Sequence, residues 1–131
     1  MLPAQARLRR RPEFSAVVRS GRRAGRPTMV LHYLPSRPGP DAAGETDASG
    51  PRVGFVVGKA VGNSVVRHRV TRRLRAVVRE ELGRLPATAD LVVRARPEAA
   101  SADSALLHRD LAAGIDRLLA ARGSADRVRT P

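Results

Sequence analysis

The sequence contains no cysteine and no tryptophan, and it has only one tyrosine and two phenylalanines. Without cysteine the chain cannot form a disulfide framework or a thiolate metal site, and this composition fits a reducing cytoplasm. It also lacks any apolar run of the roughly 18 residues that a membrane-spanning helix needs. The start of the chain, MLPAQARLRRRPEF, has no apolar core of a signal peptide. These absences predict a cytoplasmic protein without a membrane partner.

Acidic residues are scarce in the first three-fifths of the chain. Residues 1–79 hold 17 basic side chains against four acidic ones, whereas residues 80–131 hold eight of each sign, so the whole net charge of +13 lies in the first part. Lysine is scarce as well, because Lys59 is the only one, and a GC-rich codon bias explains that ratio. Codon bias does not explain the clustering, which predicts a surface that binds a polyanion, read here as RNA.

The densest basic cluster, residues 52–79, has eight positive and no negative side chains, and its centre is GNSVVRHRVTRRLR. A helical wheel separates this segment into two sides. The apolar side holds Val66, Val70, Leu74, Val77 and Val78, and the basic side holds His68, Arg69, Arg72, Arg75 and Arg79. Arg73 lies on the border, and Arg67 falls within the apolar arc, which predicts that the first turn projects past the sheet. Asn63 is a candidate N-cap.

The remaining pattern predicts one domain, residues 1–122, in which helices and strands are mixed. A short helix is expected between Pro12 and Gly21, and a basic turn follows at residues 21–27. Strands are predicted at Thr28–Leu34, Arg52–Gly58 and Asp90–Ala95, and a last helix at Ala102–Ala121. Residues 35–51, rich in Pro, Gly, Ala and acids, are predicted to be a flexible loop, and residues 123–131 a disordered tail.

The sequence shows no convincing catalytic constellation. The histidines His32, His68 and His108 fall on separate elements, and the acids Asp103, Asp110 and Asp116 are expected on the solvated side of the last helix. The glycines of GFVVGKAVGN do not fit a phosphate-binding loop, since Val53 stands in place of its first glycine and Ala60 follows Lys59. We therefore expect a binding protein with neither a catalytic residue nor a metal site of its own.

Three blocks of the sequence resemble, in order and spacing, the bacterial ribonuclease P protein subunit. Residues 52–75, RVGFVVGKAVGNSVVRHRVTRRLR, resemble the family signature, and RLRRRPEFSAVVRSGRR and VVRARP match before and after it. The resemblance implies an α+β (two-layer α/β) fold, ribosomal protein S5 domain 2-like. Its implied element order is α-β-β-β-α-β-α with a left-handed crossover at the basic helix. The general rule for crossovers predicts the opposite hand.

The resemblance also implies a function, which is to assist a catalytic RNA subunit in the endonucleolytic removal of the 5′ leader from precursor tRNA. Catalysis is expected to reside in the RNA, with Mg²⁺ held mainly by the RNA, and no obligatory protein partner is expected. Together with the charge cluster, the resemblance predicts RNA contacts at Arg52, Lys59, Asn63, Arg67, His68, Arg69, Arg72, Arg73, Arg75 and Arg79. It implies a cleft for the single-stranded leader at Phe14, Val18 and His32.

This chain departs from the family pattern at several positions. His68 stands where the family usually has Asn, Thr71 replaces an expected basic residue, and Val18 and His32 stand where aromatic rings are common. The leader is therefore expected to be held more by charge than by stacking. Two simpler interpretations stay open, in which Phe14 is a core residue and Asn63 is only a helix cap. The alternative function is a basic structural protein of the ribosome, although the neutral second part lacks the basic extension common in that class.

Overall fold

A computed structural model describes residues 11–35 and 50–128 of the chain. Its helices are α1 (Arg11–Ser20), α2 (Ser64–Glu81) and α3 (Ser104–Val128), and its strands are β1 (Arg22–Gly25), β2 (Met29–Leu34), β3 (Arg52–Val56) and β4 (Asp90–Ala95). Short 3₁₀ turns at Leu82–Arg84 and Pro97–Ser101 flank β4. The strands form one sheet in the order β1-β2-β4-β3. The predicted mixture of helices and a sheet is confirmed.

The sheet is antiparallel except at one edge, where β3 and β4 are parallel neighbours. Parallel neighbours need a crossover connection, and α2 lies in the segment that joins them. Residues of alternating position along each strand face opposite sides of the sheet. One side carries the main core against α2 and α3, while Val92 on the other side packs against Val17 of α1. The prediction of two layers is therefore incomplete, because α1 covers part of the second side.

The basic turn predicted at residues 21–27 is wrong for most of its length, because Arg22–Gly25 form the edge strand β1. Only Ala24 of this strand is buried in the main core, so its apolar content is too small to signal a strand. Arginines are tolerated there because an edge strand with charged side chains resists pairing with other chains. The strand is held by pairing with β2, in which Arg23 lies opposite His32.

Two other element boundaries differ from their predictions. The strand predicted to reach Gly58 ends at Val56, and the last helix runs to Val128 instead of Ala121, through much of the segment predicted as a disordered tail. Residues 36–49 of the predicted loop, residues 1–10 and residues 129–131 lie outside the described residues. No described helix combines the length and the apolar composition that crossing a bilayer requires.

The main core is mostly aliphatic, although the ring of Tyr33 is fully buried in it. The largest fully buried side chains that α2 and α3 bring to it are Val70, Leu74, Val78, Leu107, Leu111 and Ile115. The four apolar positions of α2 from Val70 to Val78 that were predicted to pack on the sheet are buried, which confirms that side of the wheel. On α3, Gly114 permits a close approach to the sheet, since a Cβ there would lie 2.5 Å from Cδ1 of Leu31. These contacts fix the position of α2, and with it the arginines on its other sides.

The acidic residues of α3 were predicted to lie on its solvated side, but one of them does not. Asp110 is only 2% exposed, and its carboxylate accepts hydrogen bonds from the backbone N–H of Thr28 at 3.0 Å and from the Thr28 hydroxyl at 2.6 Å. Asp103 begins the helix by accepting the N–H of Leu106 at 2.8 Å. Asp116 is exposed and pairs with Arg84. Asp110 therefore ties the β1–β2 turn to α3.

The C-terminal end of α2 is held against α3 by an acidic residue. Glu81 accepts hydrogen bonds from Arg84 at 2.9 Å and lies 2.7 Å from Nε2 of His108. The hydrogen bond from Arg84, followed by that from His108, holds the pKa of the Glu81 carboxyl below its ordinary value. This negative charge is therefore compensated locally and does not neutralise the arginines farther up the helix.

Candidate nucleic-acid interface

The first turn of α2 is built by a Gly-Asn pair. Asn63 accepts the backbone N–H of Val66 on its side-chain oxygen at 3.0 Å, which confirms the predicted N-cap. No acidic residue lies in this turn, so the positive end of the helix dipole adds to the charge of the arginines that follow. Val65, 71% exposed, supports the prediction that the turn projects beyond the sheet. The start of α2 is thus shaped to meet an anion.

Gly62 is required by this turn for two reasons. Its φ of +155° lies where side chains are disfavoured, and a Cβ would lie 2.8 Å from Cβ of Val66. We expect Gly62→Ala to lower the free energy of unfolding by about 1–3 kcal/mol, measured by urea denaturation. Gly58→Ala, in the same loop with nothing within 4 Å of its added Cβ, is the matched control. Equal stability of the two variants would contradict this account.

The solvent side of α2 carries a shallow depression of about 430 Å³. It is lined by Ser64, Arg67, His68, Thr71, Arg72 and Arg75. We call its four basic or imidazole side chains, Arg67, His68, Arg72 and Arg75, the outer basic face. Arg67, which the wheel placed in the apolar arc, belongs to this face, and its Nη2 lies 3.5 Å from the Ser64 hydroxyl. Thr71 does not break the face, because its hydroxyl turns back to the Arg67 carbonyl at 2.8 Å.

Arg69 and Arg73 lie apart from the outer basic face. Arg69 donates to the backbone carbonyl of Ala100 at 3.3 Å, and Arg73 donates to that of Ala102 at 2.8 Å. Both hydrogen bonds are partly buried, and both carbonyls belong to the segment that leads into α3. We call these two residues the inner arginine pair. The single row of arginines predicted from the wheel therefore divides into an outer set that faces solvent and an inner pair that ties α2 to α3.

The other predicted RNA contacts are spread around the helix. Arg52 lies on β3, where its guanidinium forms two hydrogen bonds of 3.0 and 2.9 Å with the buried carboxylate of Asp90 on β4. This bidentate ion pair gives Arg52 a role in joining the two parallel strands. Lys59 is exposed in the loop before α2, and Arg79 is exposed in its last turn. These two cations flank the outer basic face along the chain.

A second depression, of about 460 Å³, lies between α1 and β3. Its lining residues are Ser15, Val18, Arg19 and Val56. Val18, which was predicted to belong to a leader cleft, is exposed and borders this groove. Phe14 lies on α1, but its side chain is outside the described residues. Val56 was missed as a candidate, although its place on the less bulky side of β3 in the alternating pattern was the signal that could have found it.

His32 does not line that groove, because it lies on β2 beneath α1 and is only 6% exposed. Burial is the main cause that lowers the pKa of its imidazole, and the charges of Arg94 and Arg23 lower it further. The imidazole is therefore neutral at pH 7. Its Nε2 is buried and has no hydrogen-bond partner among the described residues. Sequence reasoning placed this residue on the correct side of the sheet but did not foresee its burial.

Metal ligands are not assembled in the described part of the chain. No group of three or more His, Asp or Glu side chains within residues 11–35 and 50–128 has the arrangement needed to hold an ion. Several of the described acids are instead paired with cations or cap a helix, as for Asp90, Asp103 and Asp110. The arginines that line the depression on α2 fit this surface for binding anions.

Comparison with known proteins finds similarity to one family along nearly the whole chain. The Ribonuclease P family model matches residues 2–119. The ribonuclease P protein component of Streptomyces griseus subsp. griseus is 54% identical over 119 residues, which cover 91% of this chain and 96% of that protein. The corresponding component of Corynebacterium diphtheriae is 48% identical over 118 residues, which cover 90% of this chain and 97% of its own.

Solved structures show that the fold is shared. The RNase P protein of Staphylococcus aureus superposes with a TM-score of 0.70 at 18% identity, covering 85% of this chain and 93% of that one. The RNase P protein of Thermotoga maritima gives a TM-score of 0.65 at 22% identity, covering 86% and 94%. Three observations point to the same family. They are the match to the family model, the high identity to the protein components, and the basic helix that begins at a Gly-Asn turn. The chain therefore belongs to the ribonuclease P protein family.

Proposed function

We propose that this chain, as the protein subunit of ribonuclease P, binds the RNA subunit through the outer basic face of α2. The groove between α1 and β3 would hold the 5′ leader of precursor tRNA, so that the protein assists endonucleolytic removal of the leader. The observation that carries the proposal is the outer basic face itself, where Arg67, Arg72 and Arg75 surround one depression. Arginine is the side chain best suited to bidentate contact with phosphate.

The charge of this face is not compensated within the described residues. None of its arginines forms an ion pair with a described acid, because Glu81, Asp90 and Asp110 pair elsewhere. The Nε atoms of Arg67 and Arg75 are also buried without a hydrogen-bond partner in the described part of the chain. Buried donors without partners are costly, which favours an external acceptor such as a phosphate oxygen.

The protein would contribute binding energy and charge neutralisation, while catalysis would reside in the RNA subunit. Cations at an RNA surface reduce phosphate repulsion and release counterions, so two RNA molecules can approach each other. Mg²⁺ would be held mainly by the RNA, as the resemblance to the family implies. The proposal places the complex in the cytoplasm and needs no other protein partner.

We also propose that the fold is ribosomal protein S5 domain 2-like, with a left-handed connection from β3 through α2 to β4. The support is the parallel β3–β4 pair with a helix in the segment between its strands. A right-handed connection is the general preference, so the family resemblance alone supports the left hand.

The function is tested by reconstituting the chain with a cognate ribonuclease P RNA at low Mg²⁺. Cleavage of precursor tRNA at its mature 5′ end is expected to be faster than with RNA alone, because the protein replaces part of the metal-ion screening. An unrelated folded protein of similar net charge is the control for screening without specific binding. Equal rates with the two proteins would contradict the proposal and favour the ribosomal alternative, which the family match does not support.

A further inference from the structure

The three histidines of the chain lie in different environments. His32 is buried in the sheet, and His108 lies 2.7 Å from the carboxylate of Glu81. His68 is exposed on α2, and it forms neither a hydrogen bond nor an ion pair with the described residues. Histidine is the side chain whose ordinary pKa, about 6.5, lies closest to neutral pH. An uncommitted imidazole on a binding surface can therefore change its charge when a ligand arrives.

His68 lies in the middle of the outer basic face. One helical turn separates it from Ser64 on one side and from Arg72 on the other, so the three side chains lie along the same side of α2. Arg67 and Arg75 complete the lining of the same depression. An anion that these guanidinium groups hold is therefore also brought to the imidazole ring.

Acidic side chains are absent from the surroundings of His68 within the described part of the chain. The first turn of α2 has none, and the first acid of the helix is Glu80. It follows 12 residues after His68, which corresponds to about 18 Å along the helix axis. The 3₁₀ turn at Pro97–Ser101 and α3 pack against α2, but their acids do not line the depression. The described charges that face the ring are therefore those of Arg67, Arg72 and Arg75, and a negative partner has to come from outside.

We propose that His68 is a proton-coupled RNA contact, whose imidazole takes up one proton when the outer basic face binds the RNA subunit. This inference rests on the proposed function and adds to it a dependence of the same site on pH. The proton comes from the solvent and binds the ring nitrogen that was unprotonated. Both ring nitrogens are then donors, and one N–H donates to a phosphate oxygen. A nearby phosphate stabilises the charged ring, as any opposite charge does.

The sign of the pH dependence follows from proton linkage. Because the complex holds one proton more than its separate components, the affinity rises as the pH falls, by at most tenfold per pH unit. The gain is complete where the ring is already protonated in the free protein, and it is lost as the pH rises through the range where the ring in the complex deprotonates. Glu81 stays charged above pH 6, because its hydrogen bonds hold the pKa of its carboxyl below the ordinary value. The contact between α2 and α3 is therefore kept.

The test is a binding titration of the full chain against its cognate ribonuclease P RNA at constant ionic strength, from about pH 8.5 to about pH 6. We expect the affinity of the wild type to rise about five- to tenfold over this range. His68→Gln keeps a hydrogen-bond donor but cannot take up the proton, so its affinity should not change with pH. His68→Arg carries a permanent charge. It should bind at the high-pH end about as tightly as the wild type binds at the low-pH end.

Calorimetry in buffers with different heats of ionisation gives a second readout, because it counts the protons that binding takes up. The wild type should take up a fraction of one proton per complex near neutral pH, and His68→Gln should take up none. His108→Gln is the matched control, since His108 faces Glu81 and lies outside the depression. This variant should keep the pH dependence of the wild type.

The outcomes separate the proton coupling from the RNA binding on which it rests. If Arg72→Ala/Arg75→Ala binds the RNA as tightly as the wild type, the outer basic face is not the RNA site and the proposed function fails. If that variant binds weakly but the wild-type affinity is independent of pH, the proton coupling alone is overturned. It is also overturned if His68→Gln keeps the rise in affinity, or if His108→Gln abolishes it, because the proton would then bind elsewhere.

Discussion

Alanine at both Arg72 and Arg75 is expected to weaken binding of the protein to ribonuclease P RNA on the order of 100-fold at physiological salt. Both side chains line the depression on α2, and neither pairs with a described acid. Each substitution removes one charge-assisted contact to phosphate. The slope of log K against log salt should therefore flatten by about two units for the double variant. The measurement is a binding titration against the RNA subunit at several salt concentrations.

The inner arginine pair gives a matched control on the same helix. Arg69→Ala/Arg73→Ala removes the same residue type and the same charge, but it breaks hydrogen bonds to the carbonyls of Ala100 and Ala102. We expect this variant to lose about 1 kcal/mol of unfolding free energy per bond and to change the salt slope by less than one unit. The outer variant should keep wild-type stability, because neither side chain forms an ion pair with a described acid and Nε of Arg75 has no hydrogen-bond partner among the described residues.

Equal flattening of the salt slope by the two variants would show that RNA contacts both sets of arginines. The division of the helix into an outer face and an inner pair would then have no functional meaning. A lower slope for the inner variant alone would place the RNA on the side of α2 that faces Ala100 and Ala102, and would overturn the proposed orientation of the complex.

The side of α2 that packs on the sheet was predictable from sequence, because the wheel depends only on helical geometry and on side chains within one segment. Val70 and Leu74 are buried as predicted, and Asn63 caps the helix. The wheel could not separate Arg69 and Arg73 from Arg72 and Arg75. That separation depends on carbonyl groups about 30 residues later in the chain, whose position is set by the packing of α3.

Two other differences between the prediction and the structure also have long-range causes. The edge strand β1 has one buried apolar residue, Ala24, and exists because β2 offers it hydrogen bonds. Asp110 was expected in solvent because an acid on an amphipathic helix is usually exposed. Its burial depends on Thr28, 82 residues earlier, which supplies two donors to one carboxylate oxygen. Local periodicity carries no information on such partners.

Replacement of Asp110 by alanine is expected to lower the free energy of unfolding by about 3–5 kcal/mol, which is a large part of the stability of a domain this size. The carboxylate is buried, and its loss leaves the N–H and hydroxyl of Thr28 without their acceptor and Arg26 without the charge 3.8 Å away. Urea denaturation at neutral pH measures the effect. Asp110→Asn keeps one acceptor oxygen and should lose less.

Asp116→Ala on the same helix is the matched control, because it removes the same side chain from an exposed ion pair with Arg84. Exposed pairs contribute little, so its unfolding free energy should fall by less than about 1 kcal/mol. Equal losses at the two positions would mean that burial of Asp110 does not matter.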